Sequence, residues 1–339
     1  MGSDEDQLEI GTRLPKGMGR TVLDADNSWF TLLSMHRSPS HLNADYVAQS
    51  RLREYTNPEG GNFNCILNSG VTLGLLTGLS NLPIEHLIWR TLGWREVKLL
   101  LPVFAGDTLY AESVVIERDR DGGGATLETT GLNQRGDVVA RMVRDISLLP
   151  EDGLEAKSGG STVEGESSTP PSLVEPDFKG DWAFEDFTIG RKIVHPHVRT
   201  VLDVDALWYP ILTMNRLRAY SRPNEEGRWE CDPVLVAMLL LGVSSAQTSE
   251  PHGLLNLAWK DIQVLGPLCV GDTLYAESEV LDTRESASRP YGGIVTTRLF
   301  GYTQTGRTVM EQTRTFMVFK LEDSPKRHPY IPSRQRSQE

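Results

Sequence analysis

Cysteine is nearly absent from this chain. Three residues in 339, Cys65, Cys231 and Cys269, are scattered with no CxxC spacing. That excludes a disulfide framework and predicts a reducing compartment. Positive charge is in deficit too, with 34 Lys and Arg against 46 Asp and Glu and a net charge of −12. A general nucleic-acid binder needs the opposite balance, although a few local cations would still serve one small phosphate-bearing ligand. No apolar run approaches the roughly 18 residues of a membrane-spanning helix. The longest, 234–243, suits a buried helix. The first eleven residues are acidic and carry neither the basic cluster nor the apolar run of a secretory leader. These absences predict a cytoplasmic chain that meets neither membrane nor nucleic acid.

What is present is a repeat. Gly-Asp-Thr-Leu-Tyr-Ala-Glu-Ser runs from Gly106 and again, unchanged, from Gly271. Upstream of each octapeptide lies a matching stretch, Trp94-Arg95-Glu96-Val97-Lys98 and Trp259-Lys260-Asp261-Ile262-Gln263. Earlier still, Arg20-Thr21-Val22-Leu23-Asp24 recurs from Arg199. The chain is therefore one unit of roughly 140 residues used twice. The expected domains are 1–150 and 181–323, with a frayed leader at 1–9, a Gly-, Ser-, Glu- and Pro-rich linker at 151–180 and a disordered tail at 324–339.

Within the first unit, 24–35 reads as a helix capped by Asp24 or Asp26, with Trp29, Leu32 and Leu33 on one face. A polar loop, 36–43, precedes a short amphipathic helix at 44–53. Asn68 or Ser69 then caps a helix at 68–79 that is apolar all round and so buried on every side. Its glycines Gly70, Gly74 and Gly78 are expected to permit close packing against strands. Strands follow at 97–101, 108–118, 125–133 and 138–148, broken by Gly-Asp and Asp-Gly turns. The second unit repeats the plan, with its helix at 234–245. A long buried helix followed by an antiparallel meander is an α+β arrangement, a sheet wrapped around a helix.

Phe184-Glu185-Asp186-Phe187-Thr188-Ile189-Gly190, the twin Gly-Asp-Thr-Leu stretches and a buried helix opened by Asn-Ser-Gly resemble signatures of MaoC-type dehydratases. The resemblance implies two fused hot-dog domains, a double hot dog with a pseudo-two-fold axis, acting on acyl thioesters. Ala48-Gln49-Ser50-Arg51, Asn68-Ser69-Gly70 and 102–108 are most similar to the mesaconyl-CoA hydratase group. No metal or other cofactor is implied, and the partner is an acyl-CoA or acyl-carrier-protein thioester. Two fused hot dogs suit a monomer or a homodimer.

Hydrating an enoyl thioester requires a base for water, a proton donor for the α-carbon, and donors for the charge that develops on the thioester oxygen. A helix N-terminus supplies such donors, which makes Ser69 and Gly70 candidates and places Asn68 beside the substrate. The family loop pattern, Gly-Asp-x-Asn-Pro-x-His, falls on 35–41. Pro39 and His41 match it, while His36 stands at the aspartate position and Met35 at the glycine. His41 is thus the expected base, assisted by His36, with Asn43 or Ser40 orienting water. In the second unit Tyr220 stands opposite His41, and Met238 is expected at the place of Gly70, with Gly242 at that of Gly74. That unit is expected to be structural. Arg51, Arg53 and Arg216 are candidates for a substrate carboxylate or CoA phosphate. Asp107 and Asp272 recur in both units and read as turn residues. The expected function is a cofactor-independent hydro-lyase acting on a short, branched or dicarboxylic acyl group. Other readings are a hot-dog thioesterase, a non-catalytic acyl-thioester-binding protein, and a secondary-metabolism enzyme using enolate chemistry.

Overall fold

The computed structural model describes residues 8–52, 65–119, 123–149, 182–248, 250 and 252–324. The linker expected at 151–180 and all of the expected tail beyond Ser324 lie outside these residues. Two ends of the assignment change. Leu8, placed in a frayed leader, is buried in an apolar cluster, and Ser324 is buried against His252.

The first half begins with the short strand β1 (Arg20–Thr21) and α1 (Asp24–Leu33), followed by α2 (Pro39–Leu42) and α3 (Ala44–Gln49). The buried helix is α4 (Ser69–Asn81). The strands are β2 (Ile88–Leu99), β3 (Thr108–Arg118), β4 (Gly124–Leu132) and β5 (Val138–Leu148). The second half repeats the order with β6 (Lys192–Val194), β7 (Arg199–Thr200), α5 (Asp203–Thr213), α6 (Pro233–Val243) and α7 (Ser245–Thr248). It closes with β8 (Gly253–Val264), β9 (Thr273–Glu285), β10 (Gly292–Tyr302) and β11 (Thr308–Phe319).

The eleven strands among the described residues form one antiparallel sheet in the order β1-β3-β4-β5-β2-β8-β11-β10-β9-β6, with β7 on β9. The halves meet where β2 pairs with β8, Val97 opposite Trp259 and Trp94 opposite Ile262. Gly93 is required there, because a Cβ would overlap the Ile262 carbonyl. β2 starts nine residues before its expected position. Register shifts at Ile88/Arg90, Thr91/Gly93 and Trp94/Glu96 break the alternation by which a strand is recognised.

Both central helices lie in a single apolar cluster that joins the halves and includes Trp94 and Trp259. Each large apolar side chain buried here contributes about 1.5–3 kcal/mol. The α4 glycines serve helix–helix packing, contrary to the expected packing on strands. A Cβ at Gly70 would overlap Met238 Sδ of α6, one at Gly74 would meet Tyr209 and Thr213 of α5, and one at Gly78 would overlap the Thr213 carbonyl. A Cβ at Gly242 of α6 would in turn overlap the Ser34 carbonyl. Gly242 is therefore the counterpart of Gly78 rather than of Gly74. Val234 is the counterpart of Gly70, and Met238 is the residue that presses on Gly70 from the other half.

The repeated entry stretches build twin helix starts. Asp26 accepts the Leu23 N–H at 2.8 Å and both Arg20 terminal nitrogens at 2.7 Å; Asp205 accepts the Leu202 N–H at 2.9 Å and Arg199 Nη2 on both its oxygens, at 2.7 and 3.0 Å. The N-cap residue of α1 is thus Leu23, with Asp26 capping from inside the first turn. Asp107 and Asp272 accept the Phe104 and Cys269 N–H groups and close the turns, as expected. Trp29 of α1 stacks on Trp208 of α5 at 5.5 Å between centroids, on the line relating the halves. Among the described residues no helix is long and apolar enough to cross a membrane.

Candidate active site

The loop after α1 turns at Met35, whose φ is +61°, in the left-handed region. The family pattern has glycine at this position, and the reason is visible: a residue with a Cβ is strained there. Met214 repeats the conformation in the second half with φ +59°. The turn delivers His36 into the interior, 3% exposed, against the start of α4.

Asn68 is the hub of the polar cluster at that helix start. It caps α4, its Oδ1 accepting the Gly70 N–H at 3.0 Å. Its Nδ2 donates to Thr31 Oγ1 and to His36 Nδ1, each at 3.3 Å. Its own N–H donates to Asn27 Oδ1 at 2.9 Å, and the Asn27 amide donates to the carbonyls of His41 and Ile66. His41 Nδ1 lies 2.8 Å from the Ile66 carbonyl. A carbonyl only accepts, so this contact puts the His41 proton on Nδ1 and leaves a lone pair on Nε2. The Asn68 donor puts the His36 proton on Nε2, a buried nitrogen without a hydrogen-bond partner. The two rings stand 5.1 Å apart, centroid to centroid.

Both imidazoles are held neutral. Burial, then the neighbouring His41 and Arg314, push His36 well below the usual histidine range. Burial lowers His41 to about 4, with Arg314 adding to the effect and the Ile66 carbonyl opposing it. Arg314 comes from β11, in the other half of the chain. It is buried, 4.4 Å above the Phe316 ring, and burial brings it down to about 9. Its Nε donates to Asn256 Oδ1 at 3.0 Å and its Nη1 to Thr248 Oγ1 at 3.5 Å. Asn256 Nδ2 then donates to Ser69 Oγ at 3.2 Å. Ser69, Asn256 and His41 are partly exposed, so the cluster opens to the surface along that line while His36, Asn68 and Arg314 lie behind it.

The sequence-derived candidates divide. His36, His41, Asn68, Ser69 and Gly70 are brought together. Gly70 does not present an open N–H, since Asn68 occupies it, and its missing side chain makes room for Met238. Asn43 is exposed and caps α3 through the Tyr46 N–H, which corrects its assignment to water. Arg51 is exposed and stacks over the Tyr291 ring at 4.6 Å. Arg53 lies outside the described residues. Arg216 is exposed and pairs with Glu85 at 2.8 Å, the counterpart of Arg37 with Glu250 at 3.1 Å. It therefore ties the halves together from the far side. Asn27, Asn256 and Arg314 were missed. Arg314 has a twin in Arg144, opposite the matching tryptophan of the first half, and an arginine present in both units reads as structural.

The twin position is closed. Tyr220, opposite His41, is buried, and its hydroxyl accepts the Thr91 N–H at 3.2 Å. Asp232 caps α6 where Asn68 caps α4, and it receives the Asn215 amide. Arg144 reaches across to this cluster, bonding Asn81 Oδ1 at 2.6 Å and Ser80 Oγ at 2.9 Å. Burial raises Asp232 to about 6 even though Val234 N–H, Asn215 and Arg144 pull it down. Each cluster thus takes its arginine from the opposite half. Among the described residues no three His, Cys, Asp or Glu side chains are grouped to hold a metal ion.

Residues 172–329 match the family model described as mesaconyl-CoA hydratase. A mesaconyl-CoA hydratase of Cereibacter sphaeroides is 30% identical over 230 residues, which cover 60% of this chain and 64% of that protein. The matched part therefore spans somewhat less than two thirds of the relative's length. Among solved structures, a MaoC domain protein of Chloroflexus aurantiacus superposes with a TM-score of 0.70 at 16% identity, covering 93% of this chain and 97% of the other. A Mycobacterium tuberculosis protein described as having a double hot-dog fold gives 0.72 at 17%, covering 93% and 98%. At such identities the likeness is one of fold.

Proposed function

From a chain with the MaoC-like double hot-dog fold that is similar in sequence to mesaconyl-CoA hydratases, we propose that the enzyme is a hydro-lyase adding water to, or removing it from, a short enoyl thioester. The observation that carries the proposal is the asymmetry of the two clusters. Only the first has a neutral imidazole, His41, with its Nδ1 pinned on a carbonyl and a lone pair on Nε2 at the partly exposed edge.

His41 Nε2 takes a proton from water as the water oxygen bonds to the β-carbon. The π electrons of the double bond move onto the thioester oxygen as an enolate. The enolate then reforms the carbonyl and takes a proton at the α-carbon from the His41 imidazolium, so one water is added and His41 is restored. Two features face the enolate charge. The N-terminal end of α4 offers its dipole, and His36 Nε2–H is a buried neutral donor, which its lowered pKa preserves. The acyl group is short, branched or dicarboxylic, carried by CoA or a carrier protein.

Mass spectrometry on mesaconyl-CoA and crotonyl-CoA with wild type and His41→Ala tests this. A gain of one water that falls by on the order of 10²-fold or more in the variant is the expected result. Release of free CoA would instead mark a thioesterase, a reading that α4 disfavours because residues 69–81 contain no acid to direct water at the carbonyl.

A further inference from the structure

The two clusters differ along one line of hydrogen bonds. Both place a buried arginine opposite a tryptophan, Arg144 by Trp94 and Arg314 by Trp259. Each arginine also reaches the residue three positions before that tryptophan. In the closed cluster this residue is Thr91, whose hydroxyl oxygen accepts from Arg144 Nη1 at 3.4 Å. The residue after the N-cap there is Pro233, which has neither a hydroxyl nor an N–H. In the open cluster the same two places hold Asn256 and Ser69.

The polarity of the open line is fixed. Arg314 Nε only donates, so Asn256 turns Oδ1 toward it at 3.0 Å and Nδ2 toward Ser69 Oγ at 3.2 Å. The amide nitrogen also only donates, so Ser69 Oγ accepts there and its single hydrogen points elsewhere. Among the described residues no group accepts that hydrogen, and Ser69 stands with His41 at the partly exposed edge. An arginine behind the site thus orients, through one amide, an O–H at its mouth. A donor aimed in advance stabilises most where charge develops.

We propose that the Ser69 hydroxyl donates to the thioester carbonyl oxygen, a bond that strengthens as that oxygen becomes the enolate. Asn256, from the half that lacks His41, is the positioning residue that keeps this donor turned outward. The proposal deepens the hydro-lyase reading and rests on it for the charge that develops on the oxygen.

Hydration of mesaconyl-CoA and crotonyl-CoA is measured for wild type, Ser69→Ala, Ser69→Thr, Asn256→Asp and the Ser69→Ala/Asn256→Asp double variant. Ser69→Ala should lower kcat on the order of 10²-fold with KM within about threefold, the mark of a contact made in the transition state. Ser69→Thr, which keeps the hydroxyl, should retain most of the activity. Asn256→Asp preserves the size of the side chain and an acceptor for Arg314, but its carboxylate draws the Ser69 hydrogen inward. Its kcat should fall about as far as that of Ser69→Ala, and it covers the case in which Ser69→Ala does not fold. The double variant should be within about threefold of the singles, whereas independent losses would multiply.

A second readout does not depend on turnover. Crotonyl-CoA labelled with carbon-13 at the thioester carbonyl is bound to His41→Ala, and its carbonyl stretch is read by difference infrared spectroscopy. Adding Ser69→Ala or Asn256→Asp should move the band to higher frequency. The proposal is overturned by a folded Ser69→Ala or Asn256→Asp with kcat within threefold of wild type, by losses that multiply, or by a band that neither substitution moves. A chain that binds neither thioester overturns it as well. If wild type adds no water to either thioester but the band still moves, the hydro-lyase reading fails and the Ser69 contact stands.

Discussion

The acid side of the pH profile gives the sharpest test of His41 as base. A base must be neutral to act. The neutral fraction of an ordinary histidine, with a pKa near 6.5, is about 3% at pH 5. With His41 lowered to about 4, about 90% is neutral at that pH, a difference of about 30-fold. The sign is set by the causes. Burial and Arg314 both disfavour the imidazolium, so the loss of activity moves to lower pH. The assay is kcat/KM for mesaconyl-CoA from pH 4 to 8, taken within seconds of a pH jump so that acid unfolding does not intrude. It should stay within about twofold from pH 8 to 5 and fall only below that. Arg314→Met should shift the kcat/KM limb upward but short of 6.5, because burial is the larger cause. A wild-type limb at 6.5 would refute the argument: His41 would then be solvated in the free enzyme, or another group would be the base.

Two further outcomes concern stability. His36, His41 and His195 are all lowered, so between about pH 4 and 6.5 the unfolded chain holds their protons and the folded chain does not; Asp232, raised to about 6, works the other way. The balance favours the unfolded state by about two protons at pH 5. With His41 partly exposed, stability should fall by about 1–3 kcal/mol per pH unit as pH drops from 6.5, seen as a Tm lower by roughly 3 °C per unit; a flat Tm would show that the histidines are not buried as described. Gly70→Ala should cost about 1–3 kcal/mol by overlap with Met238 and Phe30, and less in a Met238→Ala background, where only the Phe30 ring edge must yield and the helix gains the alanine propensity. Denaturant unfolding of both single variants and the double variant measures this coupling, and additivity would mean that Met238 does not hold Gly70 closed.

The duplication, the buried helices and strands β3 and β5 were legible because each leaves a local mark: a repeated octapeptide, an apolar run, an alternation. β2 was half hidden, since its register shifts spoil the alternation while the pairing continues. The loop histidines could be found from the family pattern, and Met35 even marks the strained turn. Arg314 could not. Its partners Asn256 and Thr248 lie far from the His loop in sequence, and its twin Arg144 makes it look like scaffolding. Nor could the helix register be read from glycines alone, because Gly74 and Gly78 both offer a match to Gly242, and only the Ser34 and Thr213 carbonyls pressing on Gly242 and Gly78 decide it.

Fusion of the halves explains how one site could close without loss of the other. In a dimer of identical units, any change at the base or N-cap alters both clusters at once. In one chain, Tyr220 and Asp232 can fill the second cluster and oppose the charge of Arg144, while His41 stands at the partly exposed edge of the first. The closed cluster then fixes the position of β2, through Tyr220 on the Thr91 N–H and Arg144 on α4 through Ser80 and Asn81. Both elements belong to the half that carries His41, and β2 is the strand that pairs with the half that supplies Arg314. The closed cluster is therefore a clamp on the geometry of the open one.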